Sequence, residues 1–350
     1  MMRHSNIGKL NYCIMNLIAK TLRAFFTWNF LLLSLLSFAQ DVRKVPAKET
    51  YIYKKAGDCE IRADVYRLAD KEIHPVILWI HGGALMFSNR GSIPTDQVEF
   101  YQRGGYIIVS IDYRLAPETK LPHIIEDIVD AYNWLRLKGS ELFNADPDRI
   151  AIVGNSAGGY LTFIAGYKFS PRPKALVSFY GYGDIIGQWT TRPSEYYLAD
   201  GLISSEEAQK VVDEKALSES EVFPRVIFYN YCRQNGSWTK AVTGVEPDNE
   251  PNKLSEYCPV FNITKEYPPT LLLHGDKDND VPFEQSVKMD SVLKKNKVPH
   301  QFIRMDGFDH LFDKFPDGWG PDAKPIGLQN EKVAKAFEKV LAFLNKYVAK

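Results

Sequence analysis

Only four cysteines occur in 350 residues, and no two are spaced Cys-x-x-Cys. The paired thiolates of a structural zinc site are therefore excluded. Neither sign of charge is in excess, since Lys plus Arg and Asp plus Glu each total 43. No dense basic run and no RNA-binding signature is present, so nucleic acid is not an expected partner. Internal repeats and low-complexity tracts are missing too, which excludes repeat architectures. Long hydrophobic runs are scarce. One stretch, residues 24–39, centres on Leu31-Leu32-Leu33 and Leu35-Leu36, and it is shorter than the roughly 20 residues a membrane helix needs. Lys20 and Arg23 precede it and Ser37-Phe38-Ala39 closes it. A basic flank, a short apolar stretch and a small-residue exit read as a signal peptide over residues 1–39. The expectation is export, to the periplasm or the medium, with cleavage after Ala39 and no stable membrane span afterwards. An uncleaved N-terminal anchor is the alternative, and the long leader leaves Met15 as an alternative start.

Cys13 lies in that leader, which leaves Cys59, Cys232 and Cys258, an odd number for an exported chain. Cys232 and Cys258 flank one irregular segment, so a disulfide between them is open. Cys59 lies in a strand-like run and is expected as a buried thiol.

What is present is a globular composition, 45% hydrophobic and 25% charged, in a chain long enough to bury a large core. Residues 51–55 and 59–66 read as strands around the turn Ala56-Gly57-Asp58. Residues 75–80 and 106–111 are continuous apolar runs, as buried parallel strands are. Ile124, Ile128, Ala131, Trp134 and Leu135 share one helical face within residues 124–137. Asp146-Pro147-Asp148 reads as a turn launching a strand over 150–153. A helix then follows Ser156, and residues 175–179 form a strand. Residues 269–273 and 300–305 are further strands, with a helix over 283–295 between them and a closing helix over 331–347. Strands alternating with helices predict an α/β fold, a doubly wound and mainly parallel sheet covered on both faces. The aromatic-rich residues 181–267 break the rhythm. They are too long for a bare loop and are expected as a cap-like insertion over the strand ends, where such sheets bind ligands, within one domain spanning residues 40–350.

Four motifs carry chemistry. Gly154-Asn155-Ser156-Ala157-Gly158-Gly159 directly follows the apolar run at 150–153. A strand ending in Gly-x-Ser-x-Gly and feeding a helix is the signature of a nucleophile elbow, which nominates Ser156. His81-Gly82-Gly83-Ala84 follows the strand ending at Ile80. The backbone N–H groups of Gly83 and Ala84, with that of Ala157, are the expected donors to an oxyanion. His81 precedes them on a short turn and is expected to brace the loop. In the run from Leu271 to Pro282, Asp278 is the expected acid, three residues after Gly275 and ahead of Val281-Pro282. Asp276 and Asp280 are expected as solvated loop acids or turn supports. His310 follows the last strand in a Gly-containing loop, where a general base belongs, and the order Ser, Asp, His fits. His74, His123, His274 and His300 are expected as surface or capping residues.

Together with Asp112-Tyr113-Arg114-Leu115-Ala116-Pro117-Glu118, these motifs resemble the α/β-hydrolase superfamily, closest to carboxylesterases related to hormone-sensitive lipase. The resemblance spans most of the chain after Tyr51. It implies a serine hydrolase acting on carboxylic esters, with Ser156, Asp278 and His310 catalytic and no cofactor or metal. Ala84 stands where the family often has a third glycine, which leaves its N–H in place, and Asn155 stands where an acid is common. The family's N-terminal helical cap is not evident. The expected substrate is a small ester with a short acyl or acetyl group, an acylated saccharide among the candidates. A serine peptidase or amidase, or a catalytically silent binding protein on the same fold, are the rival readings.

Overall fold

The computed structural model describes residues 48–199, 201–318 and 323–349. The expected signal peptide lies outside the described residues. Eight strands form one sheet in the order β1-β2-β4-β3-β5-β6-β7-β8. They are β1 (Glu49–Ala56), β2 (Cys59–Tyr66), β3 (His74–Ile80), β4 (Ile107–Ile111), β5 (Ala145–Asn155), β6 (Ala175–Phe179), β7 (Thr270–Gly275) and β8 (His300–Met305). β1 and β2 form an antiparallel hairpin that joins β4 antiparallel, and all other pairings are parallel. The predicted doubly wound, mainly parallel sheet is thus the observed one.

Alternation along the buried strands divides the core into two layers, because successive side chains leave opposite faces. Val76, Leu78 and Ile80 of β3 and Ile150 and Ile152 of β5 enter one layer. Ile77, Trp79, Ala151 and Val153 enter the other. The first layer is closed by α2 (Leu121–Phe143), through Ile124, Ile128, Ala131 and Leu135, and by α3 (Ala157–Lys168). The second is closed by α1 (Thr95–Arg103), through Val98 and Tyr101, and by α11 (Glu331–Tyr347), through Val333, Phe337, Val340 and Leu344. α2 runs past its expected end and stops at Asn144, which takes a left-handed conformation (φ 58°) and donates its N–H to Gly139 O. α11 starts where the Asn330 side chain accepts the N–H groups of Lys332 and Val333.

Between β6 and β7 the chain runs through short helices: α4 (Gln188–Thr191), α5 (Glu195–Leu198), α6 (Ser205–Gln209), α7 (Val222–Gln234), α8 (Trp238–Thr243) and α9 (Pro259–Asn262). α10 (Glu284–Lys295) then links β7 to β8. This segment is tied to the loop after β3: Trp238 Nε1 donates to Ala84 O at 3.1 Å and Arg225 Nε to Met86 O at 2.9 Å. Cys232 and Cys258 are separate buried free thiols rather than a disulfide. Burial pushes each thiol up to about 12. Cys59 is half-buried, not buried, because β2 lies near the sheet edge with β1 as its outer neighbour. Asp146-Pro147-Asp148 falls inside β5 as a looped-out bulge: His74 pairs with Ala145 and Val76 already with Ile150. Among the described residues no helix is long and apolar enough to cross a membrane.

Candidate active site

Ser156 sits between β5 and α3 with φ 54° and ψ −121°, a strained backbone for a residue with a side chain, of the kind held only where the surroundings over-determine it. The turn is crowded. A Cβ on Gly158 would lie 2.0 Å from Ile80 O, and one on Gly154 would lie 2.3 Å from Gly158 O. Only glycine lets the helix start pass this close to the end of β3.

His310 reaches this serine from the loop after β8. Its Nε2 lies 3.0 Å from Ser156 Oγ and its Nδ1 lies 2.6 Å from Asp278 Oδ2. The chain closes up because Gly275 ends β7: a Cβ there would lie 2.3 Å from Phe308 O. Asp278 is held from beneath, its Oδ1 accepting the N–H groups of Asp280 at 3.0 Å and Val281 at 2.8 Å. Burial pushes the Asp278 carboxyl up, but the His310 charge and hydrogen bonds from His274 and His310 outweigh it and hold it well below the usual carboxylate range. Burial pulls the His310 imidazole down. The negative charges of Asp278 and Asp280, the hydrogen bond to Asp278 and the charge of Asp309 win, raising it to about 9. The side chains of Ser156, Asp278 and His310, distant in sequence, are thus brought into one hydrogen-bonded row.

The loop after β3 lies beside the serine. A Cβ on Gly82 would lie 3.1 Å from Ser156 Cβ. Gly83 (φ 98°), Ala84 (φ 54°) and Leu85 (φ 64°) are all left-handed, and the turn closes with Met86 N–H and Phe87 N–H donating to Gly83 O at 2.8 and 3.0 Å. Glycine is required at 83 twice over, since a Cβ would also lie 2.1 Å from Phe87 O. Within the described residues no acceptor takes the Gly83 or Ala84 N–H. The Ala157 N–H is the first of α3, one of the donors a helix start leaves open. His81 braces this loop. It is buried, stacks on Tyr113 with ring centroids 4.2 Å apart, and places Nδ1 2.7 Å from Gly82 O. Burial pulls it down to about 3, so it is neutral and carries no charge into the site.

Several residues take parts the sequence does not announce. Asp280 is no solvated loop acid. Its Oδ1 accepts from Tyr197 OH at 2.7 Å, from Tyr229 OH and from Arg233 Nη1 at 2.8 Å, while Oδ2 lies 3.5 Å from His310 Nε2. The donors come from α5 and α7, which local spacing cannot foresee. Asp276, by contrast, supports the turn, accepting from Gly307 N–H at 2.6 Å and Arg304 Nη2 at 2.7 Å. His274 is not at the surface. It is buried under Asp278, with Nε2 3.2 Å from Asp278 Oδ2 and 3.0 Å from Val281 O. Tyr180 directly follows β6, and its ring meets the His310 ring edge-to-face at 4.5 Å. Its hydroxyl accepts from Asn155 Nδ2 at 3.1 Å and donates to Asp313, whose other oxygen takes Gln97 Nε2 at 2.8 Å. Its position just beyond a buried parallel strand is the one sequence signal for it.

The BD-FAE family model matches residues 63–293, a range that holds the elbow, the Gly82-Gly83 loop and Asp278. The chain belongs to the BD-FAE family. The dienelactone hydrolase family model matches residues 254–348, which adds His310. Beyond BD-FAE membership, the fold is shared with solved structures. A Staphylococcus aureus protein of unknown function is 23% identical, with a TM-score of 0.68, over 86% of this chain and 99% of that one. An α/β hydrolase superfamily protein from Enterococcus faecalis is 22% identical, with a TM-score of 0.66, over 86% and 99%. Esterase Est2 from Thermogutta terrifontis is 20% identical, with a TM-score of 0.60, over 87% and 93%. These likenesses establish the α/β-hydrolase fold expected from the motifs. Among curated proteins, a non-reducing polyketide synthase of Emericella nidulans is 27% identical over 332 residues, 78% of this chain. The chain spans 13% of that relative's length.

Proposed function

We propose that this BD-FAE family hydrolase is a serine carboxylesterase. The observation that carries the reading is one imidazole hydrogen-bonded on one side to a serine on a strained elbow and on the other to a buried carboxylate. His310 Nε2 takes the Ser156 proton as Oγ attacks the ester carbonyl, and Asp278 holds the ring and steadies the imidazolium. The N–H groups of Gly83, Ala84 and Ala157 receive the negative charge of the tetrahedral oxygen, where one such donor is typically worth about 3 kcal/mol of barrier. His310 then returns the proton to the departing alcohol, and a water repeats the cycle on the acyl-serine.

The acyl group is short, an acetyl group above all, and the alcohol a small molecule or saccharide. Large aromatic side chains gather beside Asp280, close to the row: Phe87 meets Tyr229 at 6.0 Å and Tyr229 meets Tyr197 at 5.6 Å. An intact hydrogen-bonded row speaks against a silent binding protein. The leader over residues 1–39 supports action outside the cytosol. The test is turnover of p-nitrophenyl esters of rising chain length, acetylated sugars, feruloyl esters and aminoacyl anilides. Acetyl esters are expected to lead. A clear preference for long acyl chains or for anilides overturns the reading.

A further inference from the structure

Asp280 holds its two carboxylate oxygens in different surroundings. Oδ1 takes three donors, from Tyr197, Tyr229 and Arg233, and Arg233 Nη2 also binds the Asp280 carbonyl at 3.1 Å. Oδ2 has no hydrogen-bond donor among the described residues, and it lies 3.5 Å from His310 Nε2. The side chain is 22% exposed, and Oδ2 is not among the described polar atoms that are buried without a partner, so a ligand can reach it. The positive partner lies on the Oδ1 side, so the pair turns its negative end toward the imidazole. Tyr197 and Tyr229 hold Arg233 there with their ring faces at 4.8 and 5.7 Å from the guanidinium carbon.

The position has a chemical meaning that rests on the esterase reading above. Nε2 must hand its proton to the leaving oxygen, so that oxygen sits within hydrogen-bond reach of Nε2. Asp280 Oδ2 shares this neighbour. Whatever is attached to the carbon next to the leaving oxygen therefore comes close to Oδ2. An ionised carboxylate accepts hydrogen bonds and donates none. A hydroxyl there satisfies it, an alkyl group leaves it unpaired, and an anion is repelled. We propose that Asp280 is a specificity-determining residue, whose free oxygen receives a hydroxyl on the alcohol half of the ester, beside the breaking bond, and turns away anionic esters.

The experiment compares three acetates in a pH-stat: ethyl acetate, 2-hydroxyethyl acetate and acetoxyacetate. Each kcat/KM is divided by the ester's hydroxide-catalysed rate, which removes intrinsic reactivity. Wild type is expected to favour 2-hydroxyethyl acetate over ethyl acetate, and to disfavour acetoxyacetate against ethyl acetate by at least about tenfold. Asp280→Asn keeps an acceptor for Tyr197 and Tyr229 and turns the free oxygen into an amide N–H donor. In that variant the acetoxyacetate penalty is expected to shrink at least about tenfold and the hydroxyl preference to disappear. A role in folding alone lowers all three rates together and leaves both ratios unchanged, and that result overturns the proposal. The wild-type ratios suffice if the variant does not fold: acetoxyacetate turned over as well as ethyl acetate overturns it too. Wild type inactive on all three acetates overturns the esterase reading itself and the proposal with it, whereas turnover with indifferent ratios overturns the proposal alone.

Discussion

Arg225→Met removes the buried cation that ties α7 to the rim of the sheet. Arg225 and Glu118 face each other at 2.6 Å with side chains 3% and 2% exposed. The guanidinium also donates to Met86 O at 2.9 Å, Ala116 O at 2.6 Å and Val211 O at 3.1 Å. Methionine fills much of the volume but leaves the Glu118 carboxylate with the Asp213 N–H at 2.7 Å as its remaining donor among the described residues. Breaking one side of a buried pair costs about 3–5 kcal/mol, because a charge stays behind without its partner. With about 2 cal/mol/K of unfolding entropy per residue in a domain of about 300 residues, that is a fall of about 5–8 °C in Tm. The loop after β3 feels it as well, since Met86 closes the turn that begins at Gly83. The loss is therefore expected in kcat more than in KM. Arg225→Met combined with Glu118→Leu removes the stranded charge and is expected to melt above the single variant, because an apolar replacement of a whole buried pair is often near neutral. Thermal unfolding followed by circular dichroism, with kinetics on an aryl acetate, decides it. A single variant melting within about 1 °C of wild type, or a double variant no more stable than the single, refutes the argument.

The charges around His310 predict an alkaline activity profile. The imidazole must be neutral to take the serine proton, and its value is raised to about 9. At pH 7 about one molecule in a hundred has the base form, so kcat/KM is expected to climb about tenfold per pH unit from 6 to 8 and level off above 9. A profile already flat at pH 7 contradicts this. Asp278→Asn leaves the shape but presents an amide to Nδ1, and kcat is expected to fall by about 10⁴-fold with KM little changed. A loss below about tenfold in stopped assays refutes the orienting role.

The strands most legible in the sequence are those buried on both faces, such as β3 and β7, where continuous apolar runs leave no alternative. α1 is silent in the pattern because it buries little beyond Gln97, Val98 and Tyr101. The row of Ser156, Asp278 and His310 is legible because each lies just beyond a strand end, and a parallel sheet collects all strand ends on one rim. Asp280 is not legible in the same way. Two positions beyond Asp278, its neighbours are set by α5 and α7, whose burial depends on contacts far away in sequence. The Arg225 pairing with Glu118 is hidden for the same reason, since nothing local to either residue names the other. The thiols of Cys232 and Cys258 show the limit of spacing arguments, for both are buried and unpaired.

The proposed mechanism requires that His310 make the Ser156 hydroxyl nucleophilic. Reaction of the native protein with a fluorophosphonate, followed by peptide mass spectrometry, tests it most directly. The adduct is expected on Ser156 alone, absent from Ser156→Ala and formed far more slowly in His310→Gln. A native, folded protein that takes no label, or that carries it on another residue, contradicts the account.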